Sequence, residues 1–162
     1  MTAEPPNNKP RTERLRRLNR IFPASPVYFL TTCTFNRKSL LATRKVHDAF
    51  LEFAHAGEAH GAYIGSYVLM PDHLHLFVAL AQDRTLSDWM KSLKNSLSKS
   101  MKQSGIPAPH WQKGFFDHLL RSAESYSQKW EYVRDNPVRA GLAKSWEEWP
   151  FRGEVWELEY RE

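Results

Sequence analysis

The residues of this chain best suited to metal or phosphate chemistry sit in two short stretches. The first is His73-Leu74-His75, which opens a run ending at Leu80 whose even positions are Leu74, Leu76, Val78 and Leu80. In a strand, residues two apart project from the same face. Both imidazoles therefore project together, opposite an apolar face. Two neutral imidazoles side by side make half of a divalent-metal site, although a bare His-x-His also occurs as a plain pair of half-exposed strand histidines. The second stretch contains Tyr132 and Asn136. On a helical wheel of about 100° per residue, Trp130, Tyr126 and Val133 fall on one stripe, while Tyr132 lies about 200° from Trp130. It shares its side with Ser125, Gln128 and Asn136. A phenol on a polar face is an amphipathic surface tyrosine or, beside a cation or amide, a nucleophile. Lys113, Asp117, His118 and Arg121 are polar positions around a further strand, with salt bridging and solvation as their simplest task.

The elements that must position these side chains follow from periodicity. Val27–Phe35 is rich in β-branched and aromatic residues and predicts a strand. Leu40–Gly61 contains a helix with Val46, Phe50, Leu51 and Ala54 at helical spacing. Ala62–Met70 and His73–Leu80 are strands joined by a turn at Pro71-Asp72. Thr85–Gln103 is a helix opening on a capping-box-like Thr85-x-x-Asp88, with Leu86, Trp89, Met90, Leu93, Leu97 and Met101 on one stripe. Lys91, Lys94, Lys99 and Lys102 lie mostly off it, as a solvated or a phosphate-tracking face. Phe115–Arg121 is the fourth strand, and Ala123–Asn136 a third helix stopped by Pro137. The order β-α-β-β-α-β is the ferredoxin-like split βαβ pattern. A turn this short between the central strands requires an antiparallel pair. The fold class expected is α+β.

The 162 residues suit one domain, and 41% apolar with 25% charged residues is a globular composition. The single Cys33 excludes an internal disulfide and a cysteine-based zinc site. No apolar run reaches the ~18 residues of a membrane span, and no secretory or twin-arginine signal is visible, so a cytoplasmic location is expected. There is no G-x-x-x-x-G-K-[ST], G-x-G-x-x-G or G-x-S-x-G string, so no nucleotide cofactor is suggested. The net charge of +5 is uneven. Residues 1–20 hold six Lys or Arg against two Glu and predict a flexible basic arm that includes Arg16 and Arg17. Residues 145–162 hold two Arg against six Glu, and an acidic tail is expected over 152–162, outside a domain at 21–151. The positive segments suit a polyanion such as nucleic acid or simply a solvated surface.

Together these strings resemble a known family. Tyr67-Val68-Leu69-Met70-Pro71-Asp72-His73-Leu74-His75 is similar to the His-hydrophobe-His (HUH) strand of the single-tyrosine transposases. Glu131-Tyr132-Val133-Arg134-Asp135-Asn136-Pro137-Val138-Arg139-Ala140-Gly141-Leu142 resembles the tyrosine helix of their REP-associated branch. Trp111-Gln112-Lys113-Gly114-Phe115-Phe116-Asp117-His118 and Trp149-Pro150-Phe151 add to the resemblance, which spans Val27 to Phe151.

The resemblance implies a nuclease and strand transferase acting on single-stranded DNA at palindromic-repeat hairpins. Tyr132 would be the nucleophile that forms a 5′-phosphotyrosine. His73, His75 and Asn136 would ligate Mg²⁺ or Mn²⁺. The chain would act as a monomer or a homodimer. From charge placement, the hairpin backbone is expected to meet Lys91, Lys94, Lys99, Lys102, Lys113, Arg121, Arg16 and Arg17. Two other readings stay open at this point. One is a binding module that holds single strands by stacking without cutting. The other is a two-histidine phosphoesterase for small molecules, for which His47, His55, His60, His110 and His118 form no second His-x-His.

Overall fold

A computed structural model of the chain describes residues 26–81 and 83–158. The basic arm expected at 1–20, with Arg16 and Arg17, lies outside the described residues.

Five strands, β1 (Val27–Cys33), β2 (Ala62–Leu69), β3 (His73–Leu80), β4 (Phe116–Leu120) and β5 (Arg152–Glu154), form one sheet in the order β4-β1-β3-β2-β5. Every neighbouring pair is antiparallel. Four helices accompany them: α1 (Arg44–Ala56), α2 (Leu86–Gln103), α3 (Ala123–Arg134) and the single turn α4 (Asn136–Arg139). The α+β class and the ferredoxin-like strand order agree with the sequence pattern. Side-chain oxygens of Thr43, Thr85 and Ser122 accept from the backbone N–H three residues on and so start α1, α2 and α3.

The alternation along β3 sends its residues into two separate cores. Leu74, Leu76, Val78 and Leu80 join Leu30 beneath Val46 and Phe50 of α1 and Trp89, Leu93 and Leu97 of α2. Phe77 and Ala79 join Val27, Phe29 and Val68 on the other face, under Tyr126, Trp130 and Val133 of α3. The sheet thus separates α1 and α2 from α3.

One irregularity fixes how α3 sits. Ile64 pairs with Val78 and Tyr67 with Leu76, so Gly65 and Ser66 together oppose the single Phe77. Such a bulge withdraws a backbone group from the ladder. The Tyr126 hydroxyl accepts from the Ser66 N–H at 3.0 Å and donates to Ser66 Oγ at 3.1 Å. Its ring packs on Phe77 with centroids 4.2 Å apart. A Cβ on Gly65 would lie 2.7 Å from that hydroxyl and 2.8 Å from Leu158 Cδ1, so only glycine admits both.

Two expectations are corrected. The third helix does not reach Asn136. It ends at Arg134, Asp135 forms the turn, and Asn136 begins α4 with Pro137 in its first turn. Pro137 inside a continuous helix would clash with the carbonyl of Val133, whereas the first turn of a new helix accepts it. Nor is 152–162 a detached acidic tail over its described part. Arg152–Glu154 pairs with Ser66–Val68, and the Val155 and Trp156 amides continue onto Gly65 and Ile64. Trp156 and Leu158 are buried. An apolar edge strand such as β2 needs this cover. Among the described residues no helix is long and apolar enough to cross a membrane.

Candidate active site

His73 and His75 leave β3 on the α3 side, with ring centroids 4.7 Å apart and nearly perpendicular planes. Each has its Nδ1 tied from behind. His75 Nδ1 lies 2.7 Å from Thr31 Oγ1 on the neighbouring strand, and its ring stacks on Phe29 at 5.4 Å. Burial first, and then the positive charges of His73, Lys129, Arg139 and Arg37, push its pKa down to about 3. His75 is therefore a neutral imidazole at ordinary pH.

His73 Nδ1 is 2.8 Å from Asp72 Oδ1. The other Asp72 oxygen accepts from Arg37 Nε at 2.9 Å. Burial pushes the Asp72 carboxyl up, but its hydrogen bonds to His73 and Arg37 outweigh that and hold it below its ordinary value. An ionised carboxylate can only accept, so His73 donates from Nδ1, which leaves Nε2 as the nitrogen turned away from Asp72. Arg37 reaches this position from the 3-10 turn Phe35–Arg37, where Asn36 and Arg37 both take left-handed φ values of 52° and 53°. Arginine rarely adopts that region. Its other nitrogens contact Cys33 Sγ at 3.0 Å and His73 Nδ1 at 3.5 Å.

Tyr132 stands on the outer side of α3 and is 68% exposed. The Arg139 guanidinium lies over its ring, 4.1 Å from Cζ to centroid. Arg139 Nη2 also donates to Asn136 Oδ1 at 2.7 Å. Lys129, one helical turn before Tyr132, holds its ammonium 5.2 Å over the Phe29 ring. Both cations disfavour the charged form of His75.

The donor chemistry fits a divalent ion in part. Two imidazoles with both Nδ1 atoms engaged present their Nε2 atoms, the usual arrangement of metal-bound histidine. Among the described residues no three His, Cys, Asp or Glu side chains gather as a metal site. A third protein ligand would therefore be of another type. The Asn136 amide oxygen is of that kind, and one of its lone pairs is engaged by Arg139.

The basic residues expected from the sequence divide between the two sides of the sheet. Lys91, Lys99 and Lys102 are exposed on α2, across the sheet from the imidazoles. Lys94 is not a free surface cation. It is half-buried and donates to the carbonyls of Gly114 at 2.7 Å and Gln112 at 3.2 Å, which ties the loop before β4 to α2. Lys113 and Arg121 flank β4 and are exposed. In register, Phe116 pairs with Thr31 and Thr31 with His75, while His118 pairs with Phe29. Phe116 is 58% exposed, in the same cross-strand row as the imidazole.

Sequence reasoning singled out His73, His75, Tyr132 and Asn136 but passed over Thr31, Arg37, Asp72, Lys129 and Arg139. Asp72 and Arg139 lay inside the quoted strings. Thr31, Arg37 and Lys129 had no local signal, because strand pairing, a left-handed turn and the packing of α3 on the sheet bring them in.

Comparison with known proteins adds a family. Residues 25–136 match the family described as "Transposase IS200 like". The chain is similar to a REP-associated tyrosine transposase of Escherichia coli (strain K12), with 26% identity over 125 residues that cover 76% of this chain and 73% of that one. A similarly named relative from Haemophilus influenzae is 22% identical over 147 residues, 82% and 81% of the two chains. A solved structure described as the REP-associated tyrosine transposase bound to a REP hairpin shares the fold. Its TM-score is 0.66 at 23% identity, with 85% of this chain and 92% of that one covered.

Proposed function

Because this chain belongs to the IS200-like transposase family, we propose that it cuts and rejoins single-stranded DNA at palindromic-repeat hairpins, with Tyr132 as the nucleophile. The observation that carries this reading is one constellation. Two imidazoles, each tied at Nδ1, stand on the α3 face of the sheet, and at the α3–α4 junction an exposed phenol and a carboxamide share one guanidinium. The hairpin-bound relative supports the choice of DNA.

In this reading Tyr132 Oη attacks the scissile phosphorus. The P–O3′ bond breaks, the phenol gives up its proton, and the departing 3′-oxygen takes one up. The products are a 5′-phosphotyrosine and a free 3′-hydroxyl. The phosphodiester energy is kept, so a 3′-hydroxyl can reverse the step without a nucleotide cofactor. His73 and His75, with Asn136, would hold Mg²⁺ or Mn²⁺, which neutralises phosphate charge and orients the non-bridging oxygens. Thr31 and the Asp72–Arg37 pair hold the imidazoles in register. Arg37, Lys129 and Arg139 supply positive charge where the phosphate backbone approaches. Phe116 offers a base an exposed ring beside the site. Lys91, Lys99 and Lys102, across the sheet, serve the distal hairpin duplex rather than the scissile strand, with Lys113 and Arg121 at the ends of β4. In this reading a single chain supplies the imidazoles, the carboxamide and the phenol, and acts as a monomer.

The test is covalent trapping on labelled hairpin oligonucleotides with and without Mn²⁺, beside Tyr132→Phe. A metal-dependent shifted band on a denaturing gel, lost in the variant, supports the reading. Tight hairpin binding with no adduct for any oligonucleotide replaces it with a non-cleaving binding module.

A further inference from the structure

Tyr132 raises a mechanical difficulty for the reading above. A nucleophile must be aimed, yet this side chain is two-thirds exposed and points away from the stripe that anchors its helix. An exposed tyrosine ring rotates among rotamers in picoseconds to nanoseconds. The Arg139 guanidinium lies over this ring, 4.1 Å from Cζ to the centroid. The same guanidinium donates to Asn136 Oδ1 at 2.7 Å.

The backbone makes this possible. Were α3 continuous through 139, Arg139 would lie seven residues beyond Tyr132, two turns along the helix. The break at Asp135 and the new turn at Asn136 bring residue 139 back over the phenol. The Arg139 amide donates to the Asp135 carbonyl at 2.9 Å and the Ala140 amide to the Asn136 carbonyl at 2.9 Å, so the turn is closed. A guanidinium can lay a flat face on an aromatic ring while its edge donates in the plane to an amide oxygen. Lysine supplies the charge without that geometry.

We propose that Arg139 is the positioning residue for the nucleophile. It joins the Tyr132 ring and the Asn136 amide into one unit, so that the attacking oxygen and the candidate metal ligand keep a fixed relation. The inference rests on Tyr132 being the nucleophile.

Its test separates geometry from charge. Arg139→Lys keeps the charge, and its hairpin affinity is expected to stay within about threefold of wild type. Its single-turnover cleavage is expected to fall about 100-fold, the usual cost of losing alignment at a reacting centre. Arg139→Ala falls at least as far, and added ethylguanidinium restores part of its rate; a merely structural role would give no such rescue. Both variants are expected to melt within a few degrees of wild type, since Arg139 is exposed. Wild-type cleavage rates in Arg139→Lys overturn the proposal, as does a slow Arg139→Ala that ethylguanidinium leaves unchanged. A wild-type protein that forms no adduct on its hairpin removes the reading beneath it and the proposal with it. Adduct formation at equal rates by wild type and Arg139→Lys removes the proposal alone.

Discussion

Tyr126→Phe isolates the hydroxyl that docks α3 on the sheet. The ring stays, so its packing on Phe77 at 4.2 Å is kept. Two hydrogen bonds to Ser66 are lost, one of them from a backbone N–H that the bulge has withdrawn from the β2–β3 ladder. Ser66 is 2% exposed, so water does not replace the lost partner. An orphaned buried donor costs about 1–3 kcal/mol. At about 2–4 °C per kcal/mol for a chain of this size, the melting temperature is expected to fall by roughly 2–12 °C. Thermal unfolding followed by circular dichroism gives that number. Amide hydrogen exchange gives its location, because the Ser66 amide is expected to lose protection before the β1–β3 core does. The variant is also expected to form the covalent adduct more slowly, since α3 carries Tyr132. An unchanged melting temperature with undiminished Ser66 protection would refute the docking role given to this hydroxyl.

Gly65→Ala is expected to destabilise the protein by more than Tyr126→Phe, because its Cβ displaces both the Tyr126 hydroxyl and Leu158; chemical denaturation measures it. Lys94→Met is expected to lower stability by about 1–2 kcal/mol by releasing the Gln112 and Gly114 carbonyls, whereas Lys91→Gln and Lys99→Gln stay within about 0.5 kcal/mol. Stability without metal is expected to be fully present above about pH 6.5, the ordinary histidine value. It is expected to fall as the pH drops toward 3, because the unfolded chain protonates His75 while the native state resists it. His75→Gln is expected to flatten that part of the pH–stability curve.

How much of this was legible in the sequence depended on how local each signal was. The apolar alternation Leu74, Leu76, Val78, Leu80 was enough to place both imidazoles on one face, and the helical wheel was enough to put Tyr132 outside. Both are periodicities carried by the chain itself. The end of α3 needed one more consideration. Proline marks a boundary, but the chain resumes helix at once, with Asn136 on the far side of the break. The fifth strand was hidden because Arg152–Glu154 is short, charged and paired with residues more than eighty positions earlier. The lysine stripe on α2 looked uniform in sequence, yet Lys94 meets a loop carbonyl that no periodicity specifies. Arg37 became a site residue through a left-handed turn and Lys129 through the packing of α3 over Phe29, neither of which a periodicity specifies.

Mapping the covalent adduct tests the central claim most directly. The protein is incubated with a hairpin oligonucleotide and Mn²⁺, digested with nuclease and trypsin, and analysed by mass spectrometry. Cleavage after Lys129 and Arg134 releases Tyr132 in the peptide Trp130–Arg134. The account predicts a nucleotide phosphate on Tyr132 in that peptide, dependent on the metal and absent from His75→Ala. A nucleotide on any other residue, or an adduct that survives Tyr132→Phe, would contradict it.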